Sequence, residues 1–276
     1  MIHIVADSST MYSSAEAAKA GFSISPLAVT INGQTYRELD EISAEQFVSI
    51  IRQGHMPASS QPAIGDVAET YQQHAEDEII NIAMADGLSG TYSGAVAAAG
   101  MCEGQNITVI NSGTLCGPHR YMVETAARMA AEGCGRKAIC DRLAEIMKQH
   151  KSFLLPADFD YLRRGGRLSP LVSFVGKTIR LAPVLTQSED GRQLVMSGVK
   201  RSFKQAVSHV SHALAQFGVG EGWHVYITHA DAPHLAQEAR TLLLETFPNA
   251  IFEIFPLTPA FITQGGPGCV AIQAVR

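Results

Sequence analysis

The chain has 276 residues, 46% of them hydrophobic and 17% charged, with no long polar tract. That composition excludes a disordered chain and supplies enough apolar surface for two ordinary domains. Its 21 Lys+Arg against 26 Asp+Glu leave a formal charge of −5, which weighs against a general nucleic-acid or anionic-membrane binder.

Ile2 to Ala6 reads as a first strand, and Asp7-Ser8-Ser9-Thr10 sits at its carboxyl end, where open α/β sheets bind ligands. Those residues either help to form a site or cap the next helix. Phe22 to Ile31 is a second extended stretch, closed by the turn signal Asn32-Gly33. Ser43-Ala44-Glu45-Gln46 opens a helix to about Gln53. Pro57-Ala58-Ser59-Ser60-Gln61-Pro62-Ala63 reads as an extended hydroxyl-bearing loop before a helix over about Ile64 to Gln73.

Glu78 to Ala85 is a short Ile-rich run, as expected of a buried parallel strand. Leu88-Ser89-Gly90-Thr91-Tyr92 then leads into small residues with high helix propensity. Free amides and the dipole at a helix start suit a carboxylate or phosphate, and Ser89 and Thr91 add hydroxyls. The plainer reading makes Ser89 an N-cap and Gly90 a turn residue. Asn106 to Ile110 is another strand, followed by a Gly-rich loop containing Cys116 and a helix to about Ala131, then a helix over about Arg136 to His150. Strands alternating with helices predict a parallel sheet covered on both faces.

The second half differs. Lys151 to Pro156 reads as a strand and Asp158 to Arg164 as a short helix, ended by the breaker Gly165-Gly166-Arg167-Leu168-Ser169-Pro170. Arg163, Arg164 and Arg167 flank those glycines and suit an anionic partner or surface pairs. Ile179 to Thr186 and Gln193 to Val199 form two strands, and Lys200-Arg201 precedes a helix over about Ser202 to Phe217. Trp223 to Thr228, Ala250 to Phe255 and Val270 to Val275 are strands, with a helix over Pro233 to Glu245.

Other chemistry is sparse. No Gly-x-Gly-x-x-Gly or P-loop occurs, so no nucleotide cofactor is expected. The ten histidines are scattered: His209 and His212 lack a third ligand, and His229-Ala230-Asp231 lacks a supporting cluster, so no metal is expected. Five cysteines make an odd set without a CxxC pair; Cys116 is the candidate for a reactive thiol. No apolar run approaches the ~20 residues of a membrane helix, and Met1 to Asp7 lacks a signal pattern. These features fit a reduced, cytoplasmic protein with at most transient membrane contact.

Taken in order, Asp7-Ser8-Ser9, Ser59-Ser60-Gln61-Pro62, Leu88-Ser89-Gly90-Thr91-Tyr92, Leu162-Arg163-Arg164-Gly165-Gly166-Arg167 and Gly266-Pro267-Gly268 resemble the DegV family of bacterial fatty-acid-binding proteins over essentially the whole chain. The resemblance implies an α/β protein of two domains. Residues 1–150 would form a three-layer α/β/α domain with a mainly parallel sheet, and 151–276 a two-layer α/β domain with a mixed sheet.

It further implies a non-catalytic carrier that holds one long-chain fatty acid between the domains and presents it to a partner fatty acid kinase, which makes the acyl phosphate. The family's carboxylate-binding hydroxyls map to Ser59 or Ser60 and to Ser89, with Gly90 and Thr91 in the same loop. Gln264 stands where the family commonly has His, two residues before Gly-Pro-Gly. Ala63, Ala85 and Asn111 replace Ser, Ser and Asp, and Asp86 adds a charge near Ser89. Arg167 and Arg201 are the expected basic contacts for the kinase. The alternative is an enzyme or binder for a different small carboxylated or phosphorylated ligand in the same crevice, with Asp7, Asp86 or Asn111 in an acid-base or positioning role.

Overall fold

The computed structural model describes residues 1–168 and 181–276. It divides into two compact units, Met1–Lys148 with Thr258–Ala260, and Gln149–Leu257 with Phe261–Arg276.

The first unit is built from β1 (Ile2–Asp7), α1 (Ser14–Lys19), β2 (Ser23–Ser25), β3 (Ala28–Ile31), β4 (Gln34–Arg37), α2 (Ala44–Arg52), β5 (Ala58–Ser60), α3 (Ile64–Gln72), β6 (Glu78–Ala83), α4 (Thr91–Gly100), β7 (Ile107–Asn111), α5 (Cys116–Ala131) and α6 (Arg136–Ile146). Its main sheet has the order β2-β1-β6-β7 and is parallel throughout, with Ile4 opposite Ile80 and Ile80 opposite Thr108. Val5 and Ile79 are buried with Val67, Ala68 and Tyr71 of α3 and with Ala95 and Ala98 of α4. The alternate residues Ile4, Ala6, Ile80 and Ile82 are buried on the opposite face, and α5 packs on β1. The strands are therefore apolar on both sides, which is why they read as continuous hydrophobic runs.

Two sequence expectations need correction. Pro57 to Ala63 is not simply a loop, because Ala58–Ser60 pairs antiparallel with β3 in a second sheet, β4-β3-β5. That small sheet is joined by Asn32-Gly33, both at positive φ (51° and 74°), as a two-residue hairpin turn demands. Asp7 through Thr10 do not cap α1; Ser13 does, in a capping box with Glu16.

The second unit contains β8 (His150–Leu155), α7 (Phe159–Gly165), β9 (Ala182–Gln187), β10 (Leu194–Lys200), α8 (Phe203–Phe217), β11 (His224–His229), α9 (Pro233–Thr246), β12 (Ile251–Pro256) and β13 (Val270–Val275); α10 (Pro259–Gly265) precedes β13. Its sheet order is β10-β9-β8-β13-β11-β12. Only β11 and β12 run parallel, so the sheet is mixed. Val207, Val210 and Leu214 of α8 and Ala236, Ala239 and Leu243 of α9 share one core with Phe153, Val184, Val225 and Ile272 of the strands, a two-layer arrangement. The expected strand over Ile179 to Thr186 begins at Ala182; Ile179, Arg180, Ser169 and Pro170 lie outside the described residues. No helix among the described residues is long and apolar enough to cross a membrane.

Candidate functional site

The carboxyl ends of β1, β6 and β7 carry the residues singled out from sequence. Asp7 is buried, and its two oxygens accept the amides of Ser9 (3.0 Å) and Met84 (2.8 Å). A buried carboxylate is tolerable only when hydrogen-bonded in this way. Asp7 thereby caps the 3-10 turn Ser8–Thr10 and ties the end of β1 to the end of β6. Met84 and Ala85 leave the strand because their amides go to Asp7 and to the Thr114 carbonyl, so β6 stops at Ala83.

The next residues are equally committed. Ser8 Oγ donates to Glu38 Oε1 (2.5 Å) and accepts from the Leu27 amide (2.9 Å). Glu38 Oε2 accepts the Ala260 amide at 2.7 Å. Full burial pushes the Glu38 carboxyl up to about 7, against the pull of those two hydrogen bonds, and the Asp7 charge adds to the rise. Ser9 Oγ lies 2.6 Å from His119 Nδ1, and His119 Nε2 lies 2.8 Å from the Ile82 carbonyl oxygen. The carbonyl requires a proton on Nε2. Asp7 to Thr10 thus form a buried, hydrogen-bonded knot.

The Leu88–Tyr92 segment lies just beyond. The amides of Leu88 and Ser89 turn back to the Ala85 carbonyl, and α4 starts at Thr91 with Gly90 as an N-cap that offers no side-chain bond. Ser89 sits one residue before the cap. Its Oγ is 2.8 Å from Thr91 Oγ1 and accepts the Thr91 amide at 3.3 Å. The other amides of the first turn have no helical partner, and the positive end of the dipole lies there.

What joins this turn to the Ser59-Ser60 segment is Gln61. A Cβ at Gly90 would overlap Gln61 Oε1, and one at Gly94 would come within 2.8 Å of Gln61 Nε2. The glutamine amide therefore lies against the first turn of α4, over two positions that have no side chain. β5 runs extended into a residue held extended by Pro62, so side chains alternate. Within β5 Ser59 is half-buried and Ser60 is exposed, the alternation of a strand.

Asn111 ends β7, and its Oδ1 accepts the amides of Asp86 (3.3 Å) and Gly113 (3.1 Å). It shapes the loop. Cys116 is buried at the first residue of α5, unlike an accessible reactive thiol.

The remaining candidates belong to the second unit. A Cβ at Gly165 would overlap Gln264 Oε1, and one at Gly266, where φ is 73°, would meet the Tyr161 ring at 2.6 Å. The Gly265-Gly266-Pro267-Gly268 run is therefore a close approach of the chain end to α7. Arg167 donates to the Gly165 carbonyl, Arg163 pairs with Asp160 at 3.3 Å, and Arg164 lies over the Tyr161 ring. Arg201 is exposed. The Arg167 carbonyl accepts the Leu194 amide at the start of β10, whereas Arg201 follows its end, so the two arginines stand roughly 20 Å apart along the strand.

Sequence reasoning missed Gln61 as the link and Glu38 altogether. Glu38 is one acid within Arg37-Glu38-Leu39-Asp40-Glu41, a stretch that reads as solvated. The two glycines four residues apart in Gly90 and Gly94 were the available trace of a close approach.

The family model for "Uncharacterised protein, DegV family" matches residues 1–276. A DegV domain-containing protein of Listeria innocua is 27% identical, over 98% of this chain and 97% of that protein. Among solved structures, a DegV family protein from Thermus thermophilus, described as fatty-acid-binding, superposes with a TM-score of 0.88 at 25% identity, covering 99% of both chains. DegV from Bacillus subtilis, described as a fatty acid binding protein, superposes at 0.86 with 26% identity, covering 99% of this chain and 98% of that one.

Proposed function

Because the chain belongs to the DegV family, we propose that it binds one long-chain fatty acid, with the carboxylate at the start of α4, and carries it to a fatty acid kinase. The observation that carries this reading is Gln61 lying across Gly90 and Gly94, which joins the segment holding Ser59 and Ser60 to the helix start that follows Ser89. In this reading the hydroxyls, the helix-start amides and the helix dipole together hold the carboxylate. Similarity to two solved proteins described as fatty-acid-binding supports the ligand class.

The energetics suit a carrier. A sixteen-carbon tail has about 15 methylene and methyl groups, whose burial at about 0.8 kcal/mol each supplies on the order of 12 kcal/mol gross. The tail dominates affinity, while the hydroxyls make burial of the carboxylate tolerable and fix its orientation. In this reading Ser59 and Ser89 are the chief ligands, Thr91 and Gly90 complete the turn, and Ser60 is secondary. The protein itself performs no chemistry. The engagement of Asp7 and Asn111 by backbone amides argues against the alternative of an acid-base enzyme at the same place.

Mass spectrometry of lipid extracted from the natively purified protein tests the proposal, with a single acyl chain as the expected result. Recovery of none, together with no uptake of added palmitate or oleate, overturns it. Ser89→Ala should weaken acyl binding about tenfold to a hundredfold, the worth of a hydrogen bond to a charged group. Arg167 and Arg201 are proposed to contact the kinase, and charge reversal at both should abolish acyl-phosphate formation without affecting acyl uptake.

A further inference from the structure

The amino-terminal end of the parallel sheet gathers side chains that the acyl reading does not use. His3 lies on β1, while His74 and Asp77 lie in the turn between α3 and β6, with one ligand atom from each within 4.8 Å of the others. Among the described residues this is the one group of three His, Cys, Asp or Glu side chains so placed. His3 and His74 are 71 positions apart in the sequence, so no ligand spacing announces them.

Their ring nitrogens meet on one hydroxyl. Nε2 of His3 and Nε2 of His74 both approach Ser23 Oγ, at 2.9 and 3.3 Å. The two rings stack with centroids 3.4 Å apart and planes 12° from parallel. Asp77 Oδ1 is held at 2.9 Å by the Met1 amine, and its Oδ2 is 3.9 Å from His74 Nδ1.

We propose that His3, His74 and Asp77 form a binding site for one divalent transition-metal ion of the zinc class. Two imidazoles and a carboxylate are a donor set for zinc, and for copper or nickel, rather than for calcium or magnesium. Each of the three side chains is only partly buried, which leaves water the fourth position. A bound metal lies in the plane of each imidazole, and two parallel rings 3.4 Å apart share no such point. His3 is fixed by the strand, so His74, in the turn, is the ring that swings off the stack. The ion would then pin that turn to β1. His3 is four strand residues from Asp7, about 13 Å, so the ion stiffens the far end of the sheet and takes no part at the acyl loops.

The test uses the full chain, purified without a histidine tag and freed of metal by chelation. Calorimetric titration with Zn2+ should show a single ion per chain, and Cu2+ should give an EPR spectrum with coupling to two imidazole nitrogens. His74→Ala and Asp77→Asn should each bind Zn2+ about tenfold or more weakly, the loss that even outer groups of a metal site can cause. Both changes fall in a surface turn, and unchanged far-UV circular dichroism checks their folding. Zn2+ should raise Tm in the wild type and not in His74→Ala. Equal affinity in wild type and variants overturns the site, as does a copper spectrum without two nitrogen ligands.

Discussion

Replacing Glu38 by glutamine and following stability against pH tests how the first unit tolerates a buried acid. The carboxyl is 1% exposed, accepts the Ser8 hydroxyl and the Ala260 amide, and titrates at about 7 instead of 4.5. Between those values the folded chain holds a proton that the unfolded chain has released. Stability from this group is therefore fully present below pH 4.5 and falls as pH rises through about 7. At about 1.4 kcal/mol per pH unit the loss is on the order of 3 kcal/mol. Glutamine has the same shape, offers one oxygen to Ala260 and donates to Ser8 Oγ, and does not titrate. The stability of Glu38→Gln minus that of wild type should thus grow by about 3 kcal/mol from pH 5 to pH 8, with other titrations cancelling. The single tryptophan, Trp223, lies in the second unit, so its fluorescence does not report the first. Hydrogen exchange of the β1 peptide, corrected for intrinsic rates, does. A difference that stays flat with pH, or that shrinks as pH rises, would refute the reasoning.

Three further outcomes rest on the geometry. Asp7→Ala orphans the buried amides of Ser9 and Met84 and should cost about 2–5 kcal/mol, read by hydrogen exchange across β1 and β6; a loss below about 1 kcal/mol would mean that water replaces the carboxylate. Gly94→Ala gains about 1 kcal/mol of helix propensity but pushes Gln61 off α4. Its thermal stability should hold while palmitate affinity drops, and an unchanged affinity would remove Gln61 as the link. Gly266→Ala puts a Cβ against the Tyr161 ring at a φ of 73° and should cost about 1–3 kcal/mol, followed by Trp223 fluorescence in urea; a neutral change would show that the ring yields freely.

Much of the fold was legible because its strands and helices advertise themselves locally. β6 and β13 are mostly apolar runs, each with one buried amide side chain, Asn81 and Gln273, and are buried on both faces; α2 begins with the capping box Ser43 and Gln46. The β3–β4 hairpin was half legible: Asn32-Gly33 gave the turn away, but Gln34–Arg37 is mostly exposed and shows no hydrophobic alternation. β5 was hidden by its serines and by Pro57 and Pro62, which flank it. Ala58–Ser60 is held as an edge strand by backbone bonds to β3, and such bonds depend on no particular side chain.

The sequence by itself determined the class of the fold, the order of its elements and the two hydroxyl segments, because periodicity, capping and turn chemistry act over a few residues. Only the tertiary structure decided what those segments do to one another. It set Gln61 on two glycines of α4, buried Glu38 among acids that read alike, and stacked His74 on His3. Each of these depends on which backbone approaches which at distances of a few ångströms, and that is decided when the sheet closes and its faces are covered, not along the chain.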